Sequence, residues 1–555
     1  MSEYQDALKQ LASLRAERQS YESHWLDLQD FFLPRRGRWL SRGSDEKSRG
    51  NKQNQRLIDP TPRLAVRTAS AGIHAGSTNP SSPFIKLTTA DPELQEWPGV
   101  AEYLYVVESG MRAAFERSNV YSVLPTLYGD SIVFGTSTML MLDDWRTTLH
   151  CVPSAIGSYY LATDSKGIVD THVREYKQTA AQLFERYGDR CPQQVKTAVA
   201  KNDTQQYFDV LHVVKPRGNR NVQDYSASGM AWQSCYYMAE GETKVGESGF
   251  EDNPIAALRW ETTEITDPYG SGPGMDVLGS AKAMQLQQKR KAQAIDKHVD
   301  PPMVGDPGLQ NQESNLLPGG ITFAGFTPNG SAPKLQPVYS IKPELGGIMA
   351  DIEDIRRLVE AGMYTDLFLA ITRADPRNAS VAEIAARREE QILSLGPMLQ
   401  NHKHGLIRPL VERTFNILMR QGRLPPPPPE LEGQEIGIEM IGLLAQALRA
   451  VQGNNIERFM GYVTGVAQLD PSALDKVDID QSIDEMSFSM GVPPTIVRND
   501  DAVAALRKQR AEQQAQQQQL ANAQAEAKAL QGGAQAAKAL SETEVGEGNA
   551  LEALA

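Results

Sequence analysis

His402 and His404, the three cysteines and the glycine-rich run at 269–274 are the residues whose types and spacing invite a chemical reading. The two histidines form an HxH pair in a helical stretch, which sets them about 200° apart around the axis and suits joint metal ligation poorly. Cys151, Cys191 and Cys235 are far apart and form no CxxC pair, so they read as reduced core thiols rather than as disulfides or zinc ligands. Hydrolysis of ATP would need a GxxxxGK[ST] loop, and no Gly-Lys dipeptide occurs; HExxH and GxSxG are absent as well. The YGSGPG run has glycines but lacks the lysine and following hydroxyl of a phosphate cradle, which leaves a structural turn. The sequence thus offers no catalytic residues, no cofactor site and no metal site.

The elements around that turn are more telling. Residues 259–303 read as strand, forced turn and long helix, with the glycines of YGSGPG expected to supply positive φ and Pro273 to fix the chain direction. No glycine or proline interrupts 280–300, and Pro301 and Pro302 then stop the helix and push Asp300 out of the α region. Such a helix is about 30 Å or more long. Val277, Ala281, Met284, Gln288, Ala292, Ile295 and Val299 form a weak stripe on one face, with Lys282, Lys289, Arg290 and Lys297 on or near the other. Two readings fit: a solvated helix bridging two domains, or a helix whose neighbours come from other copies. A second helix, 344–363, carries Ile348, Ile352, Ile355 and Val359 at spacings of four, three and four, with acids and arginines between. A Pro/Gly-rich segment, 301–343, separates the two.

Elsewhere the pattern predicts an α+β body. A helix over 3–32 has Tyr21, Trp25, Leu28 and Phe32 on one face, and the basic loop 34–39 either touches nucleic acid or packs Trp39 locally. Small residues Ala65, Thr68, Ala69 and Gly72 mark a helix over 61–75 lying close to another backbone. Strands are expected at 138–142, 168–176, 207–214 and 231–238, and a helix at 179–187 ends at Gly188. Ser380 and Glu383 form a capping box for a helix over 382–396 that breaks at Pro397 and resumes over 398–421. Prolines 425–429 form a stiff boundary, followed by helical stretches at 438–466, 472–490 and 501–530, with 531–555 read as disordered. From 430 onward there are 19 acids against nine Lys and Arg, so this end holds −10 of the net charge of −13. There is no apolar run of about 18 residues or more, and 1–10 lacks the basic and apolar regions of a secretory signal.

Taken in order, these blocks resemble the portal proteins, the head-to-tail connectors of short-tailed, T7-like phages. Arg259-Trp260 with the YGSGPG turn resembles the family's entry into its first stem helix, 301–343 its clip, and 344–363 its returning stem helix. Ser118-Asn119-Val120-Tyr121 and Phe134-Gly135-Thr136 resemble its SNFY and FGT blocks, and 71–84 its helix followed by a Pro-rich turn and an aromatic; Phe84-Ile85 stands where the family often has Trp-Phe. The resemblance implies a wing over 1–275, stem helices at 276–300 and 344–363, a clip at 301–343, a channel loop and kinked wing helix at 364–429, a helical crown at 430–500 and a C-terminal helix and tail at 501–555.

It also implies a dodecameric ring at one capsid vertex, formed in the host cytoplasm and retained in the virion, without membrane insertion. Double-stranded DNA would pass through without sequence specificity. The implied partners are the major capsid and scaffolding proteins, a tail adaptor protein and the terminase motor. By position, Arg373 and Arg377 fall in or beside the channel loop, although both equally suit ion pairs with Asp366 or Asp375. Lys289, Arg290 and Lys297 are the next DNA-facing candidates. Ile348, Ile352, Ile355 and Val359 are the expected stem packing, so Ile352→Asp is expected to block ring formation. The competing reading is another virion assembly protein, a tail or scaffold component with coiled-coil helices.

Overall fold

The computed structural model describes residues 3–36, 39–40, 56–91, 94–95, 97–221, 223–224, 226–239, 242–301, 303–305, 335–337, 345–373, 395–431, 433–467, 476–483, 500–542, 544–545 and 548–549. It is a mixed helix and sheet structure in two compact units, Met1–Gln452 and Gly453–Ala555. The first unit opens with α1 (Glu3–Phe31), α2 (Thr61–Ser77), β1 (Ile85–Thr89), α3 (Pro98–Arg117) and α4 (Val120–Phe134). Then come β2 (Thr136–Asp144), β3 (Thr148–Ser154), β4 (Tyr159–Thr163), β5 (Val169–Thr179), α5 (Ala180–Tyr187) and α6 (Gln193–Ala200). Strands β6 (Tyr207–Pro216), β7 (Trp232–Met238), β8 (Thr243–Phe250) and β9 (Ile255–Arg259) complete two antiparallel sheets, ordered β4-β5-β6-β7-β8 and β3-β2-β9.

Period-two alternation decides what each face of the larger sheet meets. Val173, Leu211, Val213, Cys235 and Tyr237 pack with Tyr4, Leu11 and Leu14 of α1. The opposite face is covered at one end by α5 and α6, through Leu183, Val195 and Ala198. Further along α1, Trp25, Leu28 and, just past its end, Phe32 are completely buried, each worth about 1.5–3 kcal/mol. Helix α5 starts in a capping box, Thr179 with Gln182, and ends at Gly188 with φ +52°.

The long helix is α7 (Leu278–Val299), preceded by one helical turn at Pro273–Asp276; it ends as expected, with Asp300 at φ −127°, ψ 74°. Strands β10 (Met303–Gly305) and β11 (Leu335–Pro337) pair antiparallel, so the intervening segment leaves and returns side by side. Helices α8 (Leu345–Gly362) and α9 (Thr365–Arg373) follow. The small face of α2 does meet another helix closely: a Cβ on Gly72 would lie 2.3 Å from the Cβ of Phe368 in α9.

Residues 382–394 lie outside the described residues; α10 (Gly396–His402) starts beside the expected break, with Pro397 in its first turn, and continues through a π turn (Lys403–Ile407) into α11 (Arg408–Arg420). The bulge sits just ahead of Pro409, whose ring would meet the carbonyl four residues back in an undistorted helix. The start of 438–466 is not helical: β12 (Ile436–Met440) pairs antiparallel with β1, and α12 begins only afterwards (Leu443–Ala467). In the second unit α13 (Asp500–Glu542) continues well past 530, through the Gly532-Gly533 pair, in place of the expected disorder. There Arg507 holds Asp480 with two hydrogen bonds, at 2.5 and 2.7 Å.

Candidate functional site

The root of the α7–α8 helix pair is where sequence-distant parts converge. The YGSGPG turn lies against the last turn of α4, and its glycines are required for close approach, not for the positive φ expected of them. A Cβ on Gly272, whose φ is −144°, would stand 2.6 Å from the Ser131 carbonyl oxygen, and one on Gly274 would stand 2.8 Å from the Val133 Cα. The positive φ belongs to their partner, Gly135, at +73°. Tyr269 packs on Tyr21 and Trp25 of α1 at ring distances of 5.3 and 5.2 Å.

Asp59 joins the two long helices to the start of α2. Its side chain is 1% exposed; one oxygen accepts from the Thr61 N–H at 2.9 Å and hydroxyl at 2.5 Å, the other from Gln288 at 2.8 Å and Arg356 at 2.7 Å. Gln285 adds bonds to the N–H groups of Ile58 and Asp59, both 2.7 Å, and to the Asp59 carbonyl, 2.9 Å. Burial works to raise the Asp59 pKa, but the bonds from Thr61, Arg356 and Gln288 outweigh it and hold the carboxyl below its ordinary value. This junction leaves no mark in the sequence, because Asp-Pro before a helix reads only as a turn.

Beyond the root the pair loses cover. Val277, just ahead of α7, and Leu278, Ala281, Met284 and Gln285 within it are buried, but the same stripe then runs through exposed Ala292, Ile295 and Val299. Lys289, Arg290 and Lys297 are exposed and make no ion pair among the described residues. In α8, Ile352 and Val359 are 2% and 0% exposed inside the subunit, Ile348 and Ile355 are partly covered, and Met349 and Leu358 face out. Ile352→Asp would therefore damage the subunit's own core and cannot serve as a test of ring contacts. Arg373 is the last residue of α9, and Arg377 lies outside the described residues, as do Ser380 and Glu383.

The other candidates are absorbed by packing. His402 is fully buried, 3.1 Å from the Tyr128 hydroxyl, and burial lowers its pKa to about 3. Tyr128 continues to Thr78 and His74, each step 3.0 Å, so the chain of polar groups ties α10 to α4 and α2. His404 instead lines a cavity of about 290 Å³ between β9, the 166–169 turn and the π segment. Arg259 on that cavity's wall spends its guanidinium on the carbonyls of Gly167, Ile265 and Asp267. The three cysteines are free and buried, with the Cys151 thiol pushed up to about 12 by burial. Arg36 of the basic loop turns to buried Asp130. Among the described residues no cluster of metal-ligating side chains occurs and no helix is long and apolar enough to cross a membrane.

A family profile described as bacteriophage head to tail connecting protein matches residues 4–497. The portal protein of Salmonella phage epsilon15 is 37% identical, the alignment spanning 100% of this chain and 98% of that protein. The probable portal protein of Bordetella phage BPP-1 is 34% identical over 98% of this chain and 96% of its own. Such full-length likeness favours a connector over a tail or scaffold component, without carrying the narrower assignment to T7-like phages. A solved structure, the neck of an empty gene transfer agent particle computed with C6 symmetry, is 10% identical, covers 78% of this chain and 90% of its own, and has a TM-score of 0.32, too low to support an argument.

Proposed function

Because the chain belongs to the bacteriophage head-to-tail connecting protein family, we propose that its copies close into a ring at one capsid vertex, through which double-stranded DNA enters during packaging and leaves at infection. The observation that carries this reading is the stripe of α7, covered inside the subunit only as far as Gln285 and bare through Ile295 and Val299. A repeated, head-to-tail contact between copies covers such a surface without leaving an open end when the rotation closes. Twelve copies follow from the resemblance. In this assignment 1–275 and 364–429 form the wing with its channel loop, α7 and α8 the stem, 301–343 the clip and 430–500 the crown. Capsid and scaffolding proteins, a tail adaptor and the terminase motor would dock on the ring, which assembles in the host cytoplasm and stays in the virion. We assign it no catalytic step.

A conduit must accept every sequence and must let the duplex slide, so its contacts go to phosphates and are few. The net charge of −13 fits weak retention of a polyanion. Arg373 and Arg377 are the first candidates for those contacts, followed by Lys289, Arg290 and Lys297. The double variant Arg373→Ala, Arg377→Ala is expected to assemble normally but to package shorter genomes or retain them poorly, measured as DNA length and content per particle. Full-length, fully retained genomes would return both arginines to a structural role.

A further inference from the structure

The face of the five-stranded sheet turned away from α1 carries a cationic site that lacks its anion. On β5, Val173 packs toward α1 and Glu175 accepts from Arg15 of α1, so by alternation His172, Arg174 and Tyr176 point to the other face. The guanidinium of half-buried Arg174 lies 4.5 Å from the Tyr176 ring centre, and its Nε is buried without any acceptor. Arg186, exposed at the end of α5, lies 4.6 Å from the Tyr236 ring centre and donates to the Tyr236 hydroxyl at 3.1 Å. Both guanidinium groups interact electrostatically with the same two tyrosines, Tyr176 and Tyr236. Behind them His172 and His212 are buried, 3.2 and 2.8 Å from the hydroxyls of Ser154 and Ser234, and are held neutral by burial and by Arg174.

Among the described residues enclosed Arg259 is held by backbone carbonyls, while four other enclosed arginines meet carboxylates: Arg18 pairs with Glu22, Arg36 with Asp130, Arg217 with Glu247, and Arg413 with Asp143. Arg174 and Arg186 have none among the described residues. For Arg174, an enclosed charge without a counterion is costly, and a carboxylate arriving from outside removes that cost. We propose that Arg174 and Arg186 receive an Asp or Glu side chain from a neighbouring copy of this chain, so that the site is complete only in the assembly. The inference rests on the ring reading. A carboxylate suits the site better than a nucleic-acid phosphate: Arg174 is recessed among tyrosine rings, and each copy brings 69 acids while its net charge opposes a polyanion.

The test is Arg174→Met in the full chain. Below the assembling concentration its unfolding midpoint should equal or exceed that of wild type, because an unpaired enclosed charge is gone. The concentration needed to form rings should rise about tenfold or more, and assembly should lose part of its salt sensitivity. Arg174→Lys, which keeps the charge without the fork, should fall between the two. Rings from Arg174→Met at the wild-type concentration would overturn the inference, as would a lowered subunit midpoint, which would mark an internal role. Unchanged rings with impaired DNA retention would assign the site to phosphate instead. If wild type itself never assembles, it is the ring reading that fails.

Discussion

Ile352→Asp is expected to abolish the folded subunit, while Ile295→Asp leaves the subunit folded and abolishes assembly. Both isoleucines lie on the long helix pair, but Ile352 is 2% exposed inside one subunit and Ile295 is 38% exposed. Placing a carboxylate at Ile352 sacrifices the burial of an isoleucine and encloses an unpaired polar group, together on the order of 5 kcal/mol. That approaches the whole stability of a typical domain, about 5–15 kcal/mol. At Ile295 water solvates the carboxylate of a free subunit, so its stability should change by only about 0.5 kcal/mol. The same carboxylate would be desolvated at every repeat of a closed ring, which multiplies the penalty. Circular dichroism melting and sedimentation velocity separate the two outcomes. A native melt for Ile352→Asp, or wild-type assembly of Ile295→Asp, would contradict this account of which stem residues face which partner.

Gly135→Val should cost the subunit about 4 kcal/mol or more, whereas Gly279→Ala should cost nothing. Gly135 has φ +73°, where a β-branched residue is strained, and a Cβ there would sit 2.1 Å from the Gly270 carbonyl oxygen. The obstacle is backbone on both sides, fixed by the Trp260 N–H donating to the Gly135 carbonyl at 2.9 Å and the Gly270 N–H donating to the Thr136 hydroxyl at 2.7 Å. Neither side can retreat without moving the entry to α7. Gly279 lies in the first turn of α7 with open space around it, so alanine there should stabilise by about 0.5–1 kcal/mol through its better helix propensity. Thermal unfolding of both variants checks the pair; a Gly135→Val protein that melts with wild type would mean the turn does not rest on α4 as described.

How far the sequence could be read depends on the range of the interaction. Features set by neighbouring residues were legible: Pro301 ending α7, Gly188 ending α5, and the buried row Trp25, Leu28 and Phe32. The glycines of YGSGPG stand out in sequence for a local reason, turn formation; what requires them in the fold, the Ser131 and Val133 backbone lying against them, is tertiary. Strand β12 was missed because its five residues gain their pairing from β1, some 350 positions earlier, and a short mixed-polarity run next to a helix gives no period of its own. The π turn was missed because it answers both Pro409 and the Ala257 carbonyl, which would lie 2.4 Å from a Cβ on Gly405. Asp59 and Arg174 look ordinary in sequence. One is over-supplied with hydrogen-bond donors and the other meets no carboxylate among the described residues, and only the fold reveals which.

Electron microscopy of purified wild-type protein decides whether the copies close into a ring. Closed rings with a central hole, of uniform subunit number and lost on Ile295→Asp, are the predicted result. Rods, irregular bundles or a strictly monomeric protein at high concentration would contradict it.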